Sequence, residues 1–178
     1  SAFERLKQEP AYREQSLYYL MQIHYVDERY DLVKSEGKTL LASYPNSHNN
    51  AEAYRLLGNV AYREGDEATA IKMLDKYVER ADSLVRGDLY MLGVCRYNRG
   101  DYPEAIAAFA EVVDEEDELM QNACLYLGQC YLRTEDRNRA RMSFEQAATL
   151  TFDPKIQETA MYNYALLIHE TSFSGFGE

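Results

Sequence analysis

The chain has 178 residues, 46% of them hydrophobic, and 30 acidic residues against 19 Lys and Arg give it a formal net charge of −11. That length and apolar content suffice for packed cores without disulfide or metal staples. The acidity makes nucleic acid and anionic membrane surfaces poor partners, since both bind through clustered cations, and no stretch reaches the roughly 18 apolar residues of a membrane span.

Taken in chain order, Phe3 to Gln8 reads as the tail of a second helix, a partial copy over 1–10. A first full copy of a two-helix unit runs over about 14–47, carrying Met21, Val33 and Gly37. Three closer copies follow, over 51–82, 86–117 and 121–152. At a shift of 35 residues they align Leu57, Leu92 and Leu127; Gly58, Gly93 and Gly128; Asp66, Asp101 and Asp136; Ala70, Ala105 and Ala140; and Leu74, Phe109 and Phe144. A further partial copy covers 154–178: Met161 to Glu170 reads as a first helix, and the residues from Thr171 stop where its partner should begin. A fixed period of this size is the signature of stacked repeats, each unable to bury its apolar face alone.

Within a copy, apolar residues fall at helical spacing on both sides of a short turn, as in Ala51 to Glu64 and Glu67 to Arg80. Glu64-Gly65-Asp66 and Arg99-Gly100-Asp101 occupy the turn. Gly supplies a left-handed residue to end one helix, and Asp caps the next. Asp101-Tyr102-Pro103-Glu104 has the spacing of a capping-box variant, and Asp153-Pro154 that of an N-cap followed by Pro at the first helical position. A mid-helix Gly costs about 1 kcal/mol relative to Ala, so the Gly column implies close helix approach. Gly93 opposite Ala105, flanked by the Leu and Phe columns, is the expected arrangement. Gly37 stands where a bulky second-helix residue is expected, which suggests a loosely packed first copy. Cys95, Cys124 and Cys130 lie in helical apolar patterns and read as small buried hydrophobes.

These columns resemble the tetratricopeptide repeat (TPR), with Leu92-Gly93, Asp101-Tyr102, Ala105 and Phe109 matching its motif and Tyr30 and Pro45 in its tyrosine and proline positions. The usual Trp position holds Leu17, Tyr54, Leu89, Cys124 and Met161 instead. The resemblance implies an all-α fold, a right-handed superhelix of helical hairpins whose first helices line a concave groove, and a non-enzymatic role in protein–protein interaction without cofactor or metal. The groove positions it assigns include Tyr18, Gln22, Tyr25, Arg55, Asn59, Tyr62, Tyr90, Tyr97, Gln129 and Tyr162, and Asn98 and Arg133 offer further polar contacts along the same wall. Eleven of the 16 tyrosines fall in first-helix stretches; a tyrosine ring joins a rigid apolar face to a hydroxyl, which suits peptide recognition, and the same rings can instead pack between repeats.

The carboxylate clamp of chaperone-binding TPR domains is absent. Arg55 and Asn59 fit its first pair, but Met91, Asn122 and Tyr126 stand where the remaining Asn and basic residues belong. Ala42-Ser43-Tyr44-Pro45-Asn46-Ser47 followed by Ala51-Glu52-Ala53 is similar to repeat junctions in bacterial cell-envelope TPR proteins of the Tol-Pal coordinator and outer-membrane assembly lipoprotein type. That similarity implies a periplasmic location, with the cytoplasm as the alternative. The run Asp114-Glu115-Glu116-Asp117-Glu118 reads as a solvated helix cap. Alternative roles are a structural array that self-associates through its exposed ends, and a glycan-binding scaffold.

Overall fold

The computed structural model describes residues 12–174, and side chains through residue 169. The expected partial copy over 1–10 lies outside the described residues. Among these there are nine α-helices: α1 (Arg13–Val26), α2 (Tyr30–Ser43), α3 (Asn50–Arg63), α4 (Glu67–Arg80), α5 (Arg86–Asn98), α6 (Tyr102–Ala110), α7 (Glu118–Arg133), α8 (Arg137–Thr149) and α9 (Pro154–Ser174). The last is longer than the sequence suggested. The chain forms two compact units, Ser1–Leu84 and Val85–Glu178. In each, consecutive helices pack as hairpins, and first helices also touch the next first helix: α1 with α3, α5 with α7, α7 with α9.

The turns repeat one geometry. In the second hairpin the Gly65 N–H donates to the Tyr62 carbonyl and the Asp66 N–H to that of Ala61. This pair of bonds satisfies two orphan carbonyls at a helix end and requires a left-handed residue. Gly65 and Gly100 supply it with φ of 77° and 82°. In the first and fourth hairpins the same position holds Glu28 and Glu135, at φ 57° and 61°, with the same hydrogen bonds to Tyr25, His24, Leu132 and Tyr131. The fold therefore imposes the turn even where the residue disfavours it. Asp66 and Asp136 then cap α4 and α8, accepting from the N–H groups of Thr69 and Arg139. Asp153 likewise accepts from those of Lys155 and Ile156. Asp101 makes no side-chain cap bond, contrary to the capping-box spacing.

The glycine column is explained by what faces it. A Cβ at Gly128 would lie 2.5 Å from Phe144 Cε1, one at Gly93 2.7 Å from Phe109 Cε1, and one at Gly58 2.7 Å from Leu74 Cγ. Each glycine thus receives the bulky residue of the opposite helix, rather than facing the Ala column as the sequence suggested. In the first hairpin the sizes are exchanged: Met21 stands in the glycine column and Gly37 in the bulky one. A Cβ at Gly37 would meet Met21 Cε at 2.9 Å and both Leu57 methyls at 3.0 Å. Met21 is fully buried, so this copy is filled from the other side, which corrects the loose packing expected of Gly37.

In three of the four hairpins a polar side chain ties the start of the first helix to the segment that follows the second. Gln121, fully buried, donates to the carbonyls of Ala147, Leu150 and Asp153 at 3.2, 2.6 and 3.3 Å and accepts from the Asp153 N–H at 2.7 Å. One repeat earlier, Arg86 donates to the carbonyls of Val112 and Glu115. In the first hairpin Glu14 accepts from Ser47 Oγ and Asn49 Nδ2. Gln121 and Arg86 supply partners to backbone groups that a helix end leaves unpaired, whereas Glu14 binds two side chains of the following connection.

Candidate functional site

In the first unit the candidate wall is built on α1 and α3. Tyr18 Oη accepts from Gln22 Nε2 at 3.0 Å, one turn along. Burial, together with the nearby Glu52 carboxylate, pushes the Tyr18 phenol above its ordinary pKa, while Arg55 pulls the other way. Arg55 grips Glu52 through two bonds of 2.7 Å. Its charge is thereby largely neutralised on its own helix. Asn59 is 4% exposed and donates to the Arg55 carbonyl at 2.9 Å; the open wall contact expected of it is replaced by an inward one. Tyr25 packs against Tyr30 with centroids 6.4 Å apart, and the Arg63 guanidinium sits 5.9 Å over the Tyr25 ring. Those two phenols, Tyr25 first, raise the Arg63 pKa. Tyr62 is half-buried on the same helix.

In the second unit the wall is built on α5, α7 and α9. Tyr90 and Tyr97 join an aromatic cluster centred on Tyr126. The rings of Tyr126 and Phe109 are stacked at 5.1 Å and 11°, and Tyr90 and Tyr97 meet Tyr126 edge-on at 6.0 and 5.1 Å. Tyr97 continues to Tyr102 at 5.8 Å, and Arg133 lies 5.8 Å over the Tyr102 ring. Such pairs add roughly 0.5–1.5 kcal/mol beyond their area burial. These tyrosines therefore hold consecutive repeats together, whatever else they contact. Burial raises the Tyr97 pKa, with Arg133 opposing it. Gln129 is half-buried, while Asn98 and Arg133 are exposed. Tyr162, on α9, is 66% exposed, beside Met161 and Leu166 at 56% and 43%.

Between α5 and α7 lies a shallow open cleft of about 400 Å³, lined by Tyr90, Glu118, Leu119 and Asn122. Only Tyr90 among these was singled out from the sequence as a groove residue. The acidic run beside it is organised by a residue that sequence reading missed. Arg86 contacts Asp114 at 2.6 Å, Glu115 at 3.2 Å and Asp117 at 2.7 Å. Asp117, in turn, caps α7 by accepting from the Met120 N–H at 2.8 Å. The Arg86 hydrogen bond and that amide hold the Asp117 carboxyl below the usual range. The run is thus a cap, as its position implied, and also one half of an ion-pair network. Arg86 is recognisable only through its position, which repeats the place of Gln121 in the next copy.

His24 and the three cysteines are engaged or buried within the fold. His24 Nδ1 lies 2.8 Å from Glu36 Oε2 across the first hairpin, with both side chains largely buried. All three cysteines are buried and none forms a disulfide among the described residues; burial pushes the thiols of Cys124 and Cys130 up to about 11 and 12. Such thiols stay protonated and behave as apolar filler. Among the described residues, no group of three His, Cys, Asp or Glu could hold a metal ion, and no helix is long and apolar enough to cross a membrane.

Comparison with curated proteins found no match. Solved structures are similar in fold over most of the chain. YrrB, described as a TPR protein with an unusual peptide-binding site, matches at 20% identity and a TM-score of 0.69, over 90% of this chain and 80% of its own. MamA matches at 18% identity and 0.59, over 87% and 96%. The TPR-like repeats of a putative kinesin light chain from Podosopora anserina match at 15% identity and 0.60, over 90% and 87%. The family model described as tetratricopeptide repeat matches residues 38–84 and 90–155, more than half of the chain and the segments that carry the glycine columns and capped turns, so the chain belongs to the tetratricopeptide repeat family.

Proposed function

We propose that the chain is a scaffold that binds a peptide or protein segment along the exposed faces of its first helices. The observation that carries this reading is the distribution of what packing leaves over. Gln129, Arg133, Asn98 and Tyr162 remain at least partly accessible on the first helices of the second unit, and Tyr18, Gln22, Arg55 and Tyr62 on those of the first. Walls of accessible rings and amides over a rigid apolar scaffold suit an extended peptide, because rings supply area at low entropic cost and amides supply hydrogen bonds. The peptide-binding site in the description of YrrB is a property of that protein and lends the reading support by analogy of fold.

The test is panning of a random heptapeptide library displayed on phage against the intact chain. Recovered peptides are then titrated by fluorescence anisotropy against Gln22→Ala, Arg55→Ala, Gln129→Ala and Arg133→Ala. Enriched sequences whose affinity falls at least fivefold in one or more variants support the wall. No enrichment, or four variants indistinguishable from the parent, overturns it. A second reading, self-association, is favoured by the apolar face of α9 formed by Met161, Tyr162 and Leu166. Sedimentation velocity on the parent and on Leu166→Glu tests it, and a parent that stays monomeric at high concentration removes its basis. A cell-envelope location remains our proposal from the repeat junction around Tyr44 and Pro45, and fractionation of the producing cell decides it.

A further inference from the structure

We infer that the cleft between α5 and α7 accepts the cationic side chain of a Lys or Arg residue. This rests on the peptide-binding reading above and gives it a chemical preference. Two side-chain acceptors line the cleft, the Glu118 carboxylate and Asn122 Oδ1. The Glu118 carboxylate makes no hydrogen bond or ion pair among the described residues. Asn122 Nδ2 donates one of its two hydrogens to the Glu118 backbone carbonyl at 2.9 Å, and its Oδ1 has no partner among them. The third polar-edged group, the half-buried Tyr90, offers a ring whose face attracts cations. Leu119 supplies apolar surface for an aliphatic stem. A long side chain ending in a positive charge satisfies all four groups together: stem on Leu119, cation beside the Tyr90 ring, donors to Glu118 and Asn122.

The surrounding charge favours the same occupant. Five consecutive carboxylates, Asp114 to Glu118, are met by one guanidinium, that of Arg86, which contacts Asp114, Glu115 and Asp117 and leaves Glu118 unmatched. The positive end of α7 opposes a cation here, but the Asp117 carboxylate already sits on the Met120 amide and offsets that end of the dipole. An anionic side chain in the cleft meets the Glu118 carboxylate and is repelled by it. A volume of about 400 Å³ is ample for one Lys or Arg side chain and part of its backbone.

Two measurements on the intact chain test this. In the first, fluorescein-labelled, end-blocked heptapeptide pools with a fixed central Lys, Arg, norleucine, Gln or Glu are titrated by anisotropy. Lys and Arg pools are expected to bind at least tenfold tighter than the norleucine pool, which matches the stem without the charge. Glu118→Gln should reduce that ratio below threefold, whereas Glu116→Gln, outside the cleft, should leave it intact. In the second, Nα-acetyl-arginine methylamide at millimolar concentration is followed by 15N-HSQC spectra and should shift the amides of Glu118, Leu119 and Asn122. Equal binding of the norleucine pool, or a charge preference that survives Glu118→Gln, overturns the inference while leaving the peptide wall standing. Shifts at these three amides with no pool bound would uphold the cleft and remove the scaffold reading. Silence in both experiments removes both.

Discussion

Alanine at Gly128 and alanine at Gly37 should have opposite consequences, although both replace a buried helical glycine. Intrinsic propensity alone favours each change by about 1 kcal/mol. At Gly128 the new Cβ would stand 2.5, 2.6 and 2.7 Å from three ring atoms of Phe144, roughly 1 Å inside ordinary van der Waals contact. Phe144 is fully buried and packs with Cys124, Ala140 and Ala147, so the rigid ring has no free direction in which to retreat. Overpacking of this kind typically costs about 1–3 kcal/mol, which exceeds the propensity gain over most of that range. Gly128→Ala should therefore lose up to about 2 kcal/mol net. At Gly37 the contacts are the terminal methyl of Met21 at 2.9 Å and the methyls of Leu57 at 3.0 Å. An unbranched thioether adjusts at little cost, so Gly37→Ala should be neutral or stabilising by up to about 1 kcal/mol. Urea unfolding followed by far-ultraviolet circular dichroism measures both, with the slope m checked because two compact units need not unfold as one. If Gly128→Ala is at least as stable as the parent, or Gly37→Ala is the more damaged of the two, the steric account of the glycine column is refuted.

Four further outcomes follow from the same structure. Glu135→Gly should stabilise the fourth hairpin by about 1 kcal/mol, because it removes a side chain from a left-handed residue; thermal unfolding that shows a lower midpoint contradicts this. Asp66→Ala and Asp136→Ala should each cost about 1 kcal/mol, and Asp101→Ala close to nothing, since only the first two accept a helix N–H; three equal losses would mean that the cap bond is not what these residues contribute. Gln121→Leu keeps much of the volume but strands buried carbonyls and the Asp153 amide, and should cost about 2–3 kcal/mol with faster hydrogen exchange at the start of α9. The Asp117 carboxyl has a folded-state pKa depressed below its unfolded value, first by Arg86 and then by the Met120 amide. The stability it contributes is thus present above about pH 4 and lost as pH falls through the lower, folded value. Protection of the first-turn amides of α7 should accordingly drop in strong acid, and in Arg86→Ala the drop should move to higher pH; an unchanged midpoint excludes the pair as its cause.

The 35-residue period, the helix–turn–helix form of each copy, the left-handed glycines and the Asp caps were legible because each rests on local chemistry. A Gly followed by Asp at a fixed interval ends one helix and starts another wherever it occurs. The candidate site was legible only by address. The sequence places Tyr90, Tyr97 and Asn59 on first helices, but cannot say whether a ring at such a position faces solvent or the neighbouring repeat.

Tertiary packing decided that question. It turned Asn59 inward, gathered Tyr90, Tyr97 and Phe109 around Tyr126, and left Gln129 and Arg133 accessible. It also set the sequence's apparent defects right: Met21 fills the space that Gly37 leaves, and Glu28 and Glu135 adopt the turn that Gly65 and Gly100 favour. These outcomes depend on volumes and partners contributed by residues a helix or more away. Helical periodicity fixes the face on which a residue lies, whereas the occupant of the opposite face fixes what that residue does.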